Sequence, residues 1–175
     1  MATITTKPAE AVGYRGYPNI TLERDTQGES ASSTFLKGSF VIQDGGYVSV
    51  VGSDNDGDLL GIATKAAANN ATDGGATSEF IWMVPGLKLE MNLLADADVA
   101  YVLAATDWGT FPQWQTQATT LERTLNTTST TDRFLIVKIG LGAVGDAYGR
   151  GGIGDTNARV HAVPVGSACL FSPDV

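Results

Sequence analysis

Gly140, Gly142 and Gly145 follow the apolar run Phe134–Ile139 and spell G-x-G-x-x-G. In that spacing, glycine lets backbone N–H groups approach a pyrophosphate at the start of a helix. The continuation is DAYGRGGIGD, Asp146 to Asp155, whose further glycines oppose the helix such a site requires. The stretch therefore reads as a flexible loop able to order against a neighbour, and no nucleotide cofactor is expected.

Four other groupings invite chemistry. Asp54, Asp56 and Asp58 offer alternate oxygens like a calcium loop. Glycine, however, stands at the fourth position (Gly57) and lysine at the twelfth (Lys65), where an EF-hand needs glycine at the sixth and a bidentate glutamate. A solvated turn is the simpler reading. Asp96 and Asp98 are two apart and would not face each other on a helix, where Asp96 serves better as a cap. His161 lies in RVHAVP on a candidate strand, without a nucleophile motif beside it. Cys169, between Ala168 and Leu170, reads as a small buried hydrophobe. No catalytic, cofactor-binding or metal site is expected from these residues, and the chain is not read as an enzyme. Trp108, Phe111 and Trp114 remain as candidate interface anchors, because aromatic side chains concentrate in binding hot spots; folding back over the core is their other reading.

The elements that hold these residues follow from composition. With 175 residues, the chain suits one domain with a core of its own. One cysteine forbids an intrachain disulfide. Eleven basic against 19 acidic residues give a net charge of −8, which opposes the phosphate neutralisation behind nucleic-acid binding. The N-terminal sequence lacks an apolar leader core, and no run approaches the roughly 18 apolar residues of a membrane span, so a soluble chain without secretion is expected. The N-x-T sequons at Asn19, Asn70 and Asn126 read as part of a Thr-rich surface. Abundant Gly, Thr, Ser and Asn favour short strands and turns.

Residues 1–34 carry Pro8, Gly13, Gly16 and Pro18 among scattered apolar positions and are expected as an extended N-terminal arm. Ile4, Val12, Tyr14, Tyr17, Ile20 and Leu22 make it too apolar for an inert tail, and Val12, Tyr14, Tyr17 and Ile20 are its expected partner contacts; an unordered terminus or an irregular first strand is the alternative. The β domain spans 35–175. Gly38–Ile42 and Tyr47–Val51 flank Asp44-Gly45-Gly46 as a hairpin. Further strands are expected at 59–64, 79–84, 87–93, 134–139, 159–165 and 168–171. In 87–93 the alternation of Leu87, Leu89, Met91 and Leu93 with polar residues marks one buried face. Asp96–Ala105 is expected as one short helix, with a strand as the alternative, and 106–131 as a long polar excursion with at most a turn or two of helix at Leu121 and Leu125. A glycine-rich loop covers 140–154. The architecture is mainly β, a small sandwich or barrel.

Lys37 to Ala67, KGSFVIQDGGYVSVVGSDNDGDLLGIATKAA, resembles the opening of the capsid cement, or head decoration, proteins of tailed bacteriophages. The shared phrases are a Lys-Gly entry to a strand, an Asp-Gly-Gly turn, a Val-rich strand, an acidic turn and Leu-Leu-Gly-Ile-Ala followed by alanines. Pro85-Gly86 and the strand from Phe134 to Gly140 are similar in placement. The resemblance covers about residues 35–95; the long N-terminal stretch and the 108–131 excursion depart from the pattern. It implies a virion protein on the outer capsid surface, made in the host cytoplasm, that cements adjacent subunits of the major capsid protein. It also implies self-association, as a homotrimer over three-fold positions or a dimer, without nucleic-acid or membrane partners. Expected contacts are Val12, Tyr14, Tyr17, Ile20, Trp108, Phe111 and Trp114. A tail or fibre component, or a calcium-assisted glycan-binding module, is the competing reading.

Overall fold

The computed structural model describes residues 1–16, 21–51, 59–96, 98–116, 123–128, 133–146, 149–165 and 168–169. The chain is mainly β, with two sheets stacked as a small sandwich and no closed barrel. One sheet holds β1 (Glu10–Tyr14), β7 (Leu87–Leu94), β8 (Gln113–Thr116), β9 (Arg123–Asn126), β10 (Phe134–Lys138) and β11 (Arg159–Pro164). Its order is β10-β11-β7-β9-β8, with β1 on β7 and β9 parallel to β7. The other runs β2-β6-β5-β3-β4, from β2 (Arg24–Gly28), β3 (Phe40–Asp44), β4 (Tyr47–Val50), β5 (Gly61–Ala63) and β6 (Thr77–Trp82).

The hairpin of β3 and β4 pairs Asp44 with Tyr47, leaving Gly45 and Gly46 as a two-residue turn. Their φ values of 56° and 90° are the positive pair such a turn needs. Leu87, Leu89, Met91 and Leu93 of β7 are fully buried on one face, as their alternation predicts. They meet the second sheet in a core centred on Phe40, whose ring stands edge-on to Trp114 at 5.4 Å and stacks on Phe134 at 5.6 Å. A smaller cluster of Phe35, Val41, Val48, Leu60, Ala63 and Phe80 fills the far side of the second sheet.

Three segments differ from the sequence expectations. Residues 1–34, expected as an extended arm with an irregular first strand as the alternative, supply strands to both sheets: β1 pairs with β7 and β2 with β6, while Ile4 is buried in the core. β2, RDTQG, has no apolar residue, so its strand state comes from pairing with β6 rather than from burial of its own face. The described residues of 96–105 form no α-helix, and they enter isolated bridges, Asp96 with Val99 and Val102 with Thr156, rather than a strand. Val99 N–H donates to the Asp96 carbonyl, Asp98 has φ 58°, and Tyr101 and Leu103 exchange backbone bonds with Gly154, Asp155 and Asn157. Those long-range bonds replace the helical ones; the helix that forms is a 3₁₀ turn at Ala105–Asp107. In the polar excursion, β8 and β9 pair as strands, with Trp114 and Leu125 facing the core and Gln115 and Thr124 buried on the opposite face. The Leu121 helical turn lies outside the described residues. Of the expected 168–171 strand, Cys169 makes a single bridge to Leu59, and 170–171 lie outside.

Candidate interaction surface

Trp108 and Phe111 are 65% and 45% exposed, and they sit on a segment held to the outer edge of β10. Gly109 N–H donates to the Ile136 carbonyl (2.9 Å), while Ile136 and Phe134 N–H groups donate to the Thr110 and Pro112 carbonyls (both 3.0 Å). The Trp108 indole N–H reaches the Val137 carbonyl at 3.3 Å. Asp107 anchors the entry: its carboxylate accepts Ala104 N–H and Tyr101 O–H, both at 2.8 Å. Burial, reinforced by this carboxylate, pushes the Tyr101 hydroxyl up to about 12, so it remains a donor. The rings are thus presented by ordered backbone, as an interface anchor requires.

Trp114 is corrected from surface anchor to core residue. At 1% exposure it packs against Phe40, with the Arg123 guanidinium 5.4 Å from its ring centre. Strand alternation explains this, because β8 turns position 114 inward. Val12 and Tyr14 lie half-buried on β1. Tyr17 and Ile20 lie outside the described residues, as does the Asp54–Asp58 turn.

The glycine loop does hold an anion, and the anion is its own. Asp155, fully buried, accepts N–H bonds from Ala2 (2.7 Å), Gly145 (2.8 Å) and Gly152 (3.0 Å). These donors, Gly152 foremost, hold its carboxyl below the usual aspartate range. Gly142 faces Gly151 so closely that a Cβ would stand 3.0 Å from its backbone nitrogen. The spacing that resembled a phosphate cradle therefore closes two loop strands over each other and ties them to the N-terminus.

Beside this loop lies a charge cluster that no local signal in the sequence marks. Glu90 on β7 and Arg159 on β11 are almost wholly buried, with Arg159 Nε 2.8 Å from Glu90 Oε1. Arg150 Nε stands 2.8 Å from Glu90 Oε2, and His161 Nε2 lies 3.5 Å from the same oxygen. Arg159 also donates to the Glu90 and Pro8 carbonyls, and Asn92 accepts Lys7 N–H. Burial lowers the affinity of Arg159 for its proton, against the pull of Glu90. Burial and Lys88 likewise lower His161, again opposed by Glu90. Cys169 is buried, and desolvation pushes its thiol up to about 12, far from a reactive thiolate.

An open cleft of about 640 Å³ adjoins the cluster, bounded by Lys7–Glu10, Lys37, Gly142 and Arg150. It adjoins a second, of about 490 Å³, that follows Ala9–Gly13 between β1 and the second sheet. Among the described residues, no helix is long and apolar enough to cross a membrane. Comparison with protein-family models and with curated proteins finds no match.

Proposed function

We propose that the chain is a structural virion protein: a head decoration protein that binds the outside of an expanded phage capsid and cements adjacent major-capsid subunits, itself associated as a trimer. The observation that carries the reading is the Trp108–Phe111 segment, two exposed aromatic residues on a strand edge fixed by backbone bonds. Such rigid aromatic anchors bind with little ordering cost. The resemblance over Lys37–Ala67 supports the same reading. That segment supplies β3, β4 and β5 of the second sheet, and its Asp-Gly-Gly phrase is the β3–β4 turn. The acidic balance suits an outer surface better than contact with packaged DNA.

The test is co-sedimentation with expanded phage heads stripped of decoration. Saturable binding of the full chain is expected, with at least tenfold weaker binding for the Trp108→Ala, Phe111→Ala double variant at an unchanged melting temperature. Equal occupancy by that variant would remove the aromatic segment from the interface. Failure of the full chain to bind any such head would overturn the decoration reading.

A further inference from the structure

Asp155 is a buried carboxylate met by neutral donors. Its partners are backbone N–H groups, Ala2 on Oδ1 at 2.7 Å and Gly145 and Gly152 on Oδ2 at 2.8 and 3.0 Å. Among the described residues no side-chain cation pairs with it. Of the groups that favour its ionised form, the Gly152 amide is the strongest and the terminal ammonium on Met1 the weakest. Amide dipoles satisfy its oxygens, but they carry no net charge to offset the burial.

The nitrogen of Ala2 is fixed by the backbone around it. Thr156 N–H donates to the Ala2 carbonyl at 2.7 Å, and Ile4 N–H donates to the Thr156 carbonyl at 2.8 Å. Ile4 is buried in the core, and Thr3 bridges Thr156 in parallel. Residues 2–4 are therefore anchored, whereas Met1 lies outside the anchorage at 84% exposure. Ala2 itself is half-buried. A cation at its nitrogen would lose only part of its hydration, while the carboxylate opposite has already lost its own.

We propose that Asp155 is the docking site for a free α-ammonium at Ala2, and that Met1 is removed to give the mature chain. Hydrolysis of the Met1–Ala2 peptide bond consumes one water. The water oxygen joins the Met1 carbonyl carbon, which leaves as the carboxylate of free methionine, and both water protons end on the Ala2 nitrogen. The N–H already directed at Oδ1 then becomes a charge-assisted bond in the same place. Alanine has the small side chain that methionine aminopeptidases admit after the methionine, and any other cleavage that makes Ala2 the first residue produces the same ammonium. Because the second oxygen of Asp155 holds Gly145 and Gly152, the new ion pair also tightens the glycine-rich loop. The inference does not depend on the capsid reading.

Mass spectrometry of the full chain expressed from Met1, with methionine aminopeptidase active, should show one methionine residue missing. Three forms of the chain separate charge from length: Met1 retained, Ala2 first, and Ala2 first with its nitrogen acetylated. The free Ala2 form should melt about 2–4 °C above the other two. Its Gly145 and Gly152 amides should exchange with solvent about fivefold more slowly. Acetylation restores a neutral amide and should return the chain to the Met1 level. In Asp155→Asn the three forms should melt together, which assigns the gain to this carboxylate; if that variant does not fold, the three wild-type forms decide alone. Retention of Met1 would overturn the processing. Equal melting of the three wild-type forms, or an acetylated form as stable as the free amine, would overturn the ammonium site.

Discussion

The two faces of β7 are both buried and are built on opposite principles. One presents Leu87, Leu89, Met91 and Leu93 to the second sheet. The other presents Glu90 and Asn92 to residues from far along the chain: Arg159 and Arg150 meet Glu90, Lys7 N–H donates to Asn92, and Arg159 also donates to the Pro8 carbonyl. The apolar face accepts any partner of suitable volume. The polar face holds together only if every one of these distant residues arrives, because a buried charge without its partner is costly. The N-terminal stretch is thus a structural lid for the polar face rather than an appendage.

The largest expected effect comes from removing that lid. Deleting residues 1–31 takes away β1, β2 and Ile4 and uncovers Glu90, Asn92 and Arg159. Loss of the cooperative thermal transition is expected by calorimetry. A sharp, near-native transition would mean that residues 1–31 are an appendage after all.

Single substitutions sharpen the contrast. Glu90→Ala leaves Arg159 buried without its carboxylate and should cost about 3–5 kcal/mol in denaturant unfolding. Leu89→Ala, on the other face, should cost about 2–5 kcal/mol through its cavity. The two losses differ in how they are repaired. Replacing both members of the ion pair, Glu90→Leu with Arg159→Met, should recover most of the first loss, since an apolar pair of similar volume avoids desolvating two charges. If the double variant is no better than Glu90→Ala, the cluster is held by the wider carbonyl network rather than by the pair.

This contrast also explains what was legible beforehand. The apolar face of β7 repeats every second residue and is visible in seven consecutive positions, Leu87 to Leu93. The β3–β4 turn is visible because its two glycines supply positive φ. β2 and β9 were hidden because their strand state comes from neighbours: RDTQG carries no apolar pattern, and β9 buries Arg123 and Thr124 beside Leu125. Trp108, Phe111 and Trp114 were open in the sequence between surface anchor and core; the β8 register places Trp114 inside, while Trp108 and Phe111 are exposed. The Glu90 cluster joins residues 60 and 69 positions apart. No local spacing carries such a signal.

A smaller effect is expected at Asp155. Its folded carboxyl is held below the ordinary range, so it stabilises the fold above its unfolded value, about 3.9. That contribution is lost as pH falls through the lower folded value. Asp155→Asn should lower the melting temperature at pH 7 and flatten its fall on acidification below about pH 4. An unchanged acid limb would mean that other carboxylates govern acid unfolding.

His161 should give the smallest effect, and it tests the balance inside the polar cluster. Burial and the Lys88 charge lower its proton affinity, Lys138 adds to this, and Glu90 opposes all three. Because the folded value is depressed, the unfolded chain takes up a proton first as pH falls below about 6.5. Stability should therefore decline across that step and level off below the folded value. His161→Gln should remove this shallow slope and leave the Asp155 limb at lower pH intact. Glu90→Gln should steepen it, since the opposing carboxylate is gone. If instead the wild type gains stability on acidification through this window, Glu90 outweighs burial and the lysines, and the cluster holds a charged imidazolium beside its two arginines.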